Sequence, residues 1–294
     1  MKLSIIIVSW NVKEKLRENL EALLKSKTDF DFEIIVVDNN SEDGSALMVE
    51  QDFKGVSIVK NEANFGFAKA NNIALKQIES KYALLLNPDM KIRFDTIQNM
   101  LTWMEENQQA SLASCRLLSK EGDIIRHVRR FPQIFDQLLI VLKLPHLFTN
   151  ILNKYLRVDF DYNKTAQVDS VRGAFFMINL EVARELELFR NSTLPYMDER
   201  YFLWFEEVDY CKQVQRGGGE VWYTNVAECV DLIGQSFKQV SRGATQKYMA
   251  DSMLKYFKKW HSSWQWLLLK LTWPIGKIIT GVIDKFGIKP RAKT

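Results

Sequence analysis

Two groups of carboxylates have surroundings typical of ligand-binding or reactive groups, and the first is centred on Asp89. This residue follows an apolar run in the segment Leu84–Met90, where Asn87 and Pro88 end the run abruptly. A proline bars further strand pairing, so the segment predicts the carboxyl end of a buried strand. A carboxylate at that end is well placed to hold a divalent metal ion. Taken alone, Asn-Pro-Asp is equally consistent with a simple turn.

The second group is Glu206, Glu207 and Asp209, which directly follow an aromatic segment over Tyr201–Phe205. Carboxylates beside bulky apolar side chains can have a raised pKa and act as general bases, and aromatic faces suit stacking on sugars. Acids in the first turn of a helix are also favoured by the helix dipole, which accounts for one or two of the three. It does not account for the aromatic segment, so these acids are candidates for a catalytic role.

The elements before Asp89 predict an open parallel sheet. The apolar runs Leu3–Ser9 and Glu33–Asp38 flank a helical pattern over Lys13–Lys25, which makes a β-α-β unit, and two further strands follow. Four successive strands therefore end in polar residues: Ser9 and Asn11, Asp38 to Asn40, Asn61 and Asn64, and Asn87 and Asp89. In such a sheet these ends share one edge, where ligands bind. Neither GxGxxG nor GxxxxGK[ST] occurs, so a cation on Asp89 is the candidate holder of phosphates.

Length and composition fit one large α/β domain, or one domain with an appendage. The chain has 294 residues, of which 47% are hydrophobic and 26% charged. Cys115, Cys211 and Cys229 are widely spaced without a CxxC pair, which indicates neither a disulfide framework nor a zinc cluster and favours a reducing, cytosolic setting. A strand pattern begins directly after Lys2, so no signal peptide is expected.

The net charge of +4 is unevenly distributed. From Lys247 onward, ten Lys or Arg oppose Asp251 and Asp284, a local charge of +8, which leaves residues 1–246 at −4. Four of the eight tryptophans also lie in this C-terminal segment. A basic, tryptophan-rich segment favours an anionic surface over nucleic acid as the partner.

From Trp264 onward the pattern predicts an amphipathic helix, with Lys270 and Lys277 opposite an apolar stripe. The stripe consists of Leu267, Leu268, Leu271, Ile275, Ile278, Ile279 and Val282. Pro274 and the lysines make it a poor transmembrane span, which needs about 20 apolar residues. We expect such a helix to lie in the interface of an anionic membrane. The alternative is a helix packed on the body or on a dimer partner.

The middle of the chain is less regular. Arg126, Arg129 and Arg130 form either a solvated basic face or a phosphate contact. The segment 133–160 predicts an irregular, partly helical insert.

Seven motifs follow one another along the chain: LSIIIVSWN, IIVVDNNSEDGS, NEANFGFAKANN, LLLNPDM, VRGAFFMIN, YFLWFEEVDYC and a turn near Asp231. In this order they resemble the inverting glycosyltransferases of family 2, in particular the rhamnosyltransferase-like branch, over Lys2 to Phe237. The resemblance implies a GT-A fold, an α/β architecture with a Rossmann-like, mostly parallel sheet flanked by helices. It also implies a nucleoside-diphosphate sugar donor, Mg²⁺ or Mn²⁺ on the diphosphate, and transfer with inversion to an acceptor hydroxyl.

The resemblance further implies roles for single residues. The nucleotide-binding residues are expected to be Ser9, Asn11, Asp38, Asn64, Gly66, Asn71 and Asn87, with Asp38 as the acid that holds the nucleoside. Asn87-Pro88-Asp89 resembles the family's Asp-x-Asp motif, which leaves Asp89 as the metal ligand. Asp231 stands where the family often has a metal-binding histidine and is the second expected ligand.

The family's Glu-Asp pair falls on Glu206-Glu207, so Glu207 is the expected general base. Its side chain is one methylene longer than the family's aspartate, which affects the catalytic geometry rather than the chemistry. Glu206 and Asp209 are further catalytic candidates.

The expected protein is a peripheral enzyme on the cytoplasmic face of the cell membrane that glycosylates a glycan or lipid-linked acceptor in bacterial-type surface polysaccharide assembly. Rhamnose is a candidate sugar. Residues 1–246 are expected to form the catalytic domain, with a nucleotide-binding half of about 1–116 and an acceptor half of about 117–246, followed by a basic tail over 247–294. The substitutions at Glu207 and Asp231 leave a catalytically degenerate sugar-nucleotide-binding or scaffold protein as an alternative, and a nucleotidyltransferase is a third. The sequence leaves open whether the chain forms a homo-oligomer.

Overall fold

The computed structural model describes residues 1–186, 192–232 and 240–285, without the side chains of Arg242 and of residues 282–285. The strands are β1 (Leu3–Ser9), β2 (Phe32–Asp38), β3 (Val56–Lys60), β4 (Tyr82–Leu86), β5 (Met90–Ile92), β6 (Ala110–Leu118), β7 (Ala166–Gln167), β8 (Phe175–Asn179) and β9 (Glu220–Asp231). The helices are α1 (Lys13–Leu24), α2 (Ser45–Asp52), α3 (Gly66–Leu75), α4 (Thr96–Glu106), α5 (Ile134–Val141), α6 (Thr149–Tyr155), α7 (Leu180–Leu186), α8 (Glu206–Arg216), α9 (Arg242–Trp260) and α10 (Ser263–Lys285). The side chain of Val282, the last member of the predicted stripe, and the whole of Phe237, the end of the family resemblance, lie outside what is described.

The described strands form one sheet in the order β3-β2-β1-β4-β8-β6-β9-β5, with β7 beside β9. The pairs among β1, β2, β3 and β4 are parallel, which confirms the sheet predicted for the first half. The second half is mixed, because β8 runs antiparallel to both β4 and β6. β6 and β9 pair in parallel, and β5 runs antiparallel to β9.

Continuous apolar strands are buried on both faces of this sheet. Ile5 and Ile7 of β1 belong to one hydrophobic core, whereas Ile6 belongs to the core on the opposite face. Alternate side chains of a strand point to opposite faces, so helices must cover both sides. The α/β fold with helices around a central sheet is therefore confirmed.

The region between the two halves contains α5 and α6 and is the predicted irregular insert. Arg130 donates to Asp136 at 2.9 Å, and Arg129 donates to the carbonyl of Val128 at 2.8 Å. Arg126 donates to the carbonyl of Val158 at 3.0 Å. All three arginines thus have bonds to the protein itself.

A third hydrophobic core joins the C-terminal helices to the body. Tyr256 and Phe257 of α9 and Leu269 of α10 are fully buried beside Tyr201 and Phe205. The boundary expected at residue 246 falls inside α9, whose Tyr256 and Phe257 pack against the body.

Candidate active site

A cavity of about 650 Å³ opens at the edge of the sheet where β1 and β4 end. Six of the residues predicted for the site line it: Asn64, Gly66, Asn87, Asp89, Glu206 and Glu207. The cavity therefore brings the two glutamates together with strand-end residues that lie more than 100 positions earlier in the sequence.

Behind this lining, the ends of β1 and β2 contain buried oxygens without a hydrogen-bond partner among the described residues. Oδ2 of Asp38 accepts a hydrogen bond from the backbone N–H of Ser41 at 3.0 Å, while its Oδ1 has no such partner. The hydroxyl of Ser9 is buried in the same state. Unpaired buried oxygens are costly, and a donor group on a ligand would satisfy them.

A network of asparagine side chains fixes the loop between β3 and α3. Asn39 donates to Oδ1 of Asn64 at 3.0 Å and accepts from Asn61 at 3.0 Å. Oδ1 of Asn64 also accepts from the backbone N–H of Gly66 at 3.0 Å, where α3 begins.

Gly66 is also the point where this loop meets the aromatic segment. Its φ is +79°, and a Cβ at this position would lie 2.2 Å from the carbonyl oxygen of Phe202. The N–H of Phe67 donates to that same oxygen at 2.9 Å. Only glycine allows this conformation and this approach together.

The predicted metal ligands lie near β5, and of the two only Asp89 lines the cavity. Asp89 lies on the cavity wall, and Asp231 lies on β9 beside β5, paired in register with Met90. The carboxylate of Asp231 is buried and accepts from the guanidinium of Arg172 at 2.7 Å. Among the described residues, no three His, Cys, Asp or Glu side chains form a metal-binding cluster. Two carboxylates nevertheless fit Mg²⁺ or Mn²⁺, because such ions take one or two carboxylates together with substrate phosphates and water.

Glu206 and Glu207 occupy the first turn of α8. The two preceding residues, Trp204 and Phe205, have left-handed φ values of +63° and +67°, which turn the chain sharply into the helix. Non-glycine residues seldom adopt this conformation, and such strain is often found at functional sites.

Both glutamates are in surroundings that favour proton uptake. Burial raises the pKa of Glu207, and burial together with the charge of Glu207 raises the pKa of Glu206. One carboxylate oxygen of each, Oε2, is buried without a hydrogen-bond partner among the described residues. A carboxylate with these properties is suited to take a proton from a substrate.

Asp209 is in different surroundings from the two glutamates, outside the cavity lining. It is fully buried, and its oxygens accept from Tyr201, Gln213, Lys259 and Trp260. These contacts tie α8 to α9 and do not place Asp209 against a ligand.

Three other predicted residues also lie outside the cavity lining. Asn71 donates to the carbonyl of Phe67 at 2.9 Å within α3, although its Oδ1 is buried without a partner among the described residues. Asn11 accepts from the N–H of Glu42 at 2.7 Å and therefore holds the loop after β2. Asp231 is the third.

Several lining residues were not expected from the sequence. Arg172 lies in the VRGAFFMIN motif, where a charge within an apolar run was a usable signal. Tyr248 and Ser241 come from α9 and the residue before it, beyond the recognisable motifs. Trp10 directly follows the first strand.

Comparison with known proteins identifies the family. The sequence pattern described as Glycosyl transferase family 2 matches residues 4–185. The chain belongs to glycosyltransferase family 2.

Two curated relatives are similar over most of the chain. The rhamnosyltransferase WbbL of Escherichia coli is 25% identical over 229 residues, which cover 74% of this chain and 79% of WbbL. The low-salt glycan biosynthesis hexosyltransferase Agl10 of Haloferax volcanii is 24% identical over 239 residues, 79% of this chain and 66% of Agl10.

Solved structures show the same GT-A fold. The mannosyltransferase PcManGT of Pyrobaculum calidifontis, solved with GDP-Man and Mn²⁺, is 15% identical with a TM-score of 0.55, over 97% of this chain and 75% of that one. Residues 1–349 of Staphylococcus aureus TarS, solved with UDP-GlcNAc, are 18% identical with a TM-score of 0.54, over 87% of this chain and 67% of that one.

Proposed function

We propose that this family 2 protein is an inverting glycosyltransferase that moves a sugar from a nucleoside-diphosphate sugar to an acceptor hydroxyl. The observation that carries the proposal is Glu207, which has a buried carboxylate oxygen and a raised pKa and lines the same cavity as Asp89. The names of similar proteins, a rhamnosyltransferase and a poly(ribitol-phosphate) β-N-acetylglucosaminyltransferase, support a role in assembling a cell-surface polymer, with rhamnose as one candidate sugar.

In this mechanism Glu207 takes the proton from the acceptor hydroxyl as its oxygen attacks the anomeric carbon. The bond from that carbon to the diphosphate breaks, and the nucleoside diphosphate leaves with the bonding electron pair. Attack opposite the leaving group inverts the anomeric configuration. Burial shifts the pKa of Glu207 toward neutral pH, and a general base works best when its pKa is near the pH of the reaction.

The remaining residues bind the donor. Asp38 and Ser9 offer buried oxygens to the nucleoside, and Asp89 and Asp231 would hold Mg²⁺ or Mn²⁺. A bound divalent ion would neutralise charge that develops on the leaving diphosphate. Arg172, which pairs with Asp231, also lines the cavity and adds a positive charge there.

A donor screen tests this proposal. UDP-GlcNAc, GDP-mannose and dTDP-rhamnose should be tested by thermal shift with Mn²⁺, with Mg²⁺ and with EDTA, because a ligand of the folded state raises the melting temperature. The donor that binds should then be slowly hydrolysed. Glu207→Gln should keep donor affinity and lose at least ~10²-fold in rate, with a smaller loss for Glu206→Gln. Binding without hydrolysis in the wild type would identify a catalytically degenerate sugar-nucleotide-binding protein.

We also propose that the enzyme works at the cytoplasmic face of a membrane, where a lipid-linked or glycan acceptor would be held. No helix among the described residues is long and apolar enough to cross a bilayer. On α10, however, Leu271 and Ile278 are 63% and 68% exposed, and Trp264, Leu267 and Ile275 continue the same stripe. Lys270 and Lys277 are exposed on the side of the helix away from this stripe and add positive charge, which suits anionic headgroups.

Sedimentation with vesicles tests the membrane proposal. The full chain should bind phosphatidylglycerol vesicles at low salt and bind phosphatidylcholine vesicles less, because part of the attraction is electrostatic. Leu271→Glu should abolish binding. Leu47→Glu, at a 55% exposed site on α2, is the matched control and should not affect it. A dimer in solution without vesicle binding would assign the stripe to a second copy of the chain.

A further inference from the structure

One face of α9 holds the aromatic segment that forms a wall of the cavity. The hydroxyl of Ser252 donates to the carbonyl of Leu203 at 2.8 Å. The rings of Tyr248 and Phe202 lie 4.6 Å apart between centroids. Residues 248, 252, 256 and 260 recur at the spacing of one helix face, so the same face continues toward the end of α9.

At the end of this face, Lys259 and Trp260 bind the carboxylate of Asp209 on α8. Nζ of Lys259 lies 2.8 Å from Oδ2, and Nε1–H of Trp260 donates to Oδ1 at 2.6 Å. Lys259 is 3.0 Å from Asp198 as well. The side chain of Lys259 is only 8% exposed and that of Asp209 is fully buried, so solvent screens these contacts little.

Asp209 lies in the first turn of α8, two positions after Glu207. Its backbone N–H donates to the carbonyl of Phe205 at 2.8 Å, which makes it part of the strained turn into the helix. The Oε2 atoms of Glu206 and Glu207 lack a hydrogen-bond partner among the described residues, whereas both oxygens of Asp209 are bound. Among the three acids of this helical turn, Asp209 is therefore the one whose carboxylate is held on both oxygens by neighbouring side chains.

We propose that Lys259 and Trp260 are positioning residues of the active site, which set the place of Glu207 through Asp209. This inference rests on the proposed function, in which Glu207 is the general base. Since α10 begins three residues after Trp260, the contact also joins the helix with the exposed apolar stripe to the helix with the glutamates.

Steady-state hydrolysis of the donor found in the screen, by the full chain without lipid, tests the proposal. Lys259→Met and Trp260→Phe should lower kcat by about 10- to 100-fold, because small displacements of a catalytic group have effects of this size. KM for the donor should stay within about twofold, since the nucleotide side of the cavity is built from other elements. Lys259→Arg keeps a cation beside Asp209 and should recover most of the loss.

Lys258→Met is the matched control, because Lys258 is exposed on the same turn of α9 and should leave kcat unchanged. Folding of each variant is checked by its melting temperature, and if Lys259→Met does not fold, Trp260→Phe decides. Folded variants with wild-type kcat, or with KM raised in place of a lower kcat, overturn the positioning role. A wild-type chain that hydrolyses none of the donors overturns the proposed function and this inference together.

Discussion

Replacing Gly66 by alanine should disrupt the contact between the nucleotide-side loop and the aromatic segment. An L-residue at φ +79° costs about 1–2 kcal/mol. The new Cβ would also lie 2.2 Å from the carbonyl oxygen of Phe202, a backbone atom, so the segment must move by roughly 1 Å. Overpacking of this kind costs about 1–3 kcal/mol more.

Gly122→Ala separates these two contributions, because Gly122 has a φ of +92° with nothing within 4 Å of the added Cβ. Urea unfolding should show a loss of about 1–2 kcal/mol for Gly122→Ala and about 2–5 kcal/mol for Gly66→Ala. Donor hydrolysis should fall up to ~10²-fold in the folded Gly66 variant only, since the displaced segment leads into Glu206 and Glu207. Equal stability losses with full turnover in both variants would refute the described contact.

Four further substitutions have distinct expected results. Asp89→Asn should remove the Mn²⁺-dependent part of donor affinity in calorimetry, whereas Asp38→Asn should weaken binding equally in Mn²⁺ and EDTA; parallel losses would contradict the assigned roles. Because burial raises the pKa of Glu207 above its ordinary 4.5, kcat should fall on the acid side with a midpoint above that pH, and Glu207→Gln should lack this limb. Burial alone would raise the pKa of Asp198, but Arg200 and Lys259 hold it at about 2. Its stabilising effect is therefore complete above the unfolded pKa near 4 and lost as pH falls through about 2; Asp198→Asn should reduce the decline of melting temperature over that range.

The parallel half of the sheet could be predicted because its strands are short, β-branched and bounded by polar residues. Ile5, Ile6 and Ile7 leave little choice but a strand covered on both faces. The positions of Asn87 and Asp89 at the sheet edge follow from the strand order, and the cavity lies there.

The surroundings of the acids on α8 could not be predicted in the same way. Glu206, Glu207 and Asp209 look alike in sequence, yet the cavity contacts two of them and α9 binds the third. The difference depends on Lys259 and Trp260, some 50 positions later, whose helical periodicity is the same whether α9 packs on the body or on a membrane.

The side chains on the buried and exposed faces of α10 indicate what its exposed apolar stripe contacts. The packed face contains the fully buried Leu269 in its first half and small residues in its second half. Gly276 lies so close to α5 that a Cβ there would be 2.3 Å from the carbonyl oxygen of Val141, and Thr280 is buried. The large apolar side chains Leu271 and Ile278 are on the side left exposed. Each large apolar side chain gains about 1.5–3 kcal/mol from leaving water, and the contacts of α10 with the body leave Leu271 and Ile278 without this gain. Packing on the body therefore does not explain the exposed stripe, which is consistent with the proposal that a membrane is its partner.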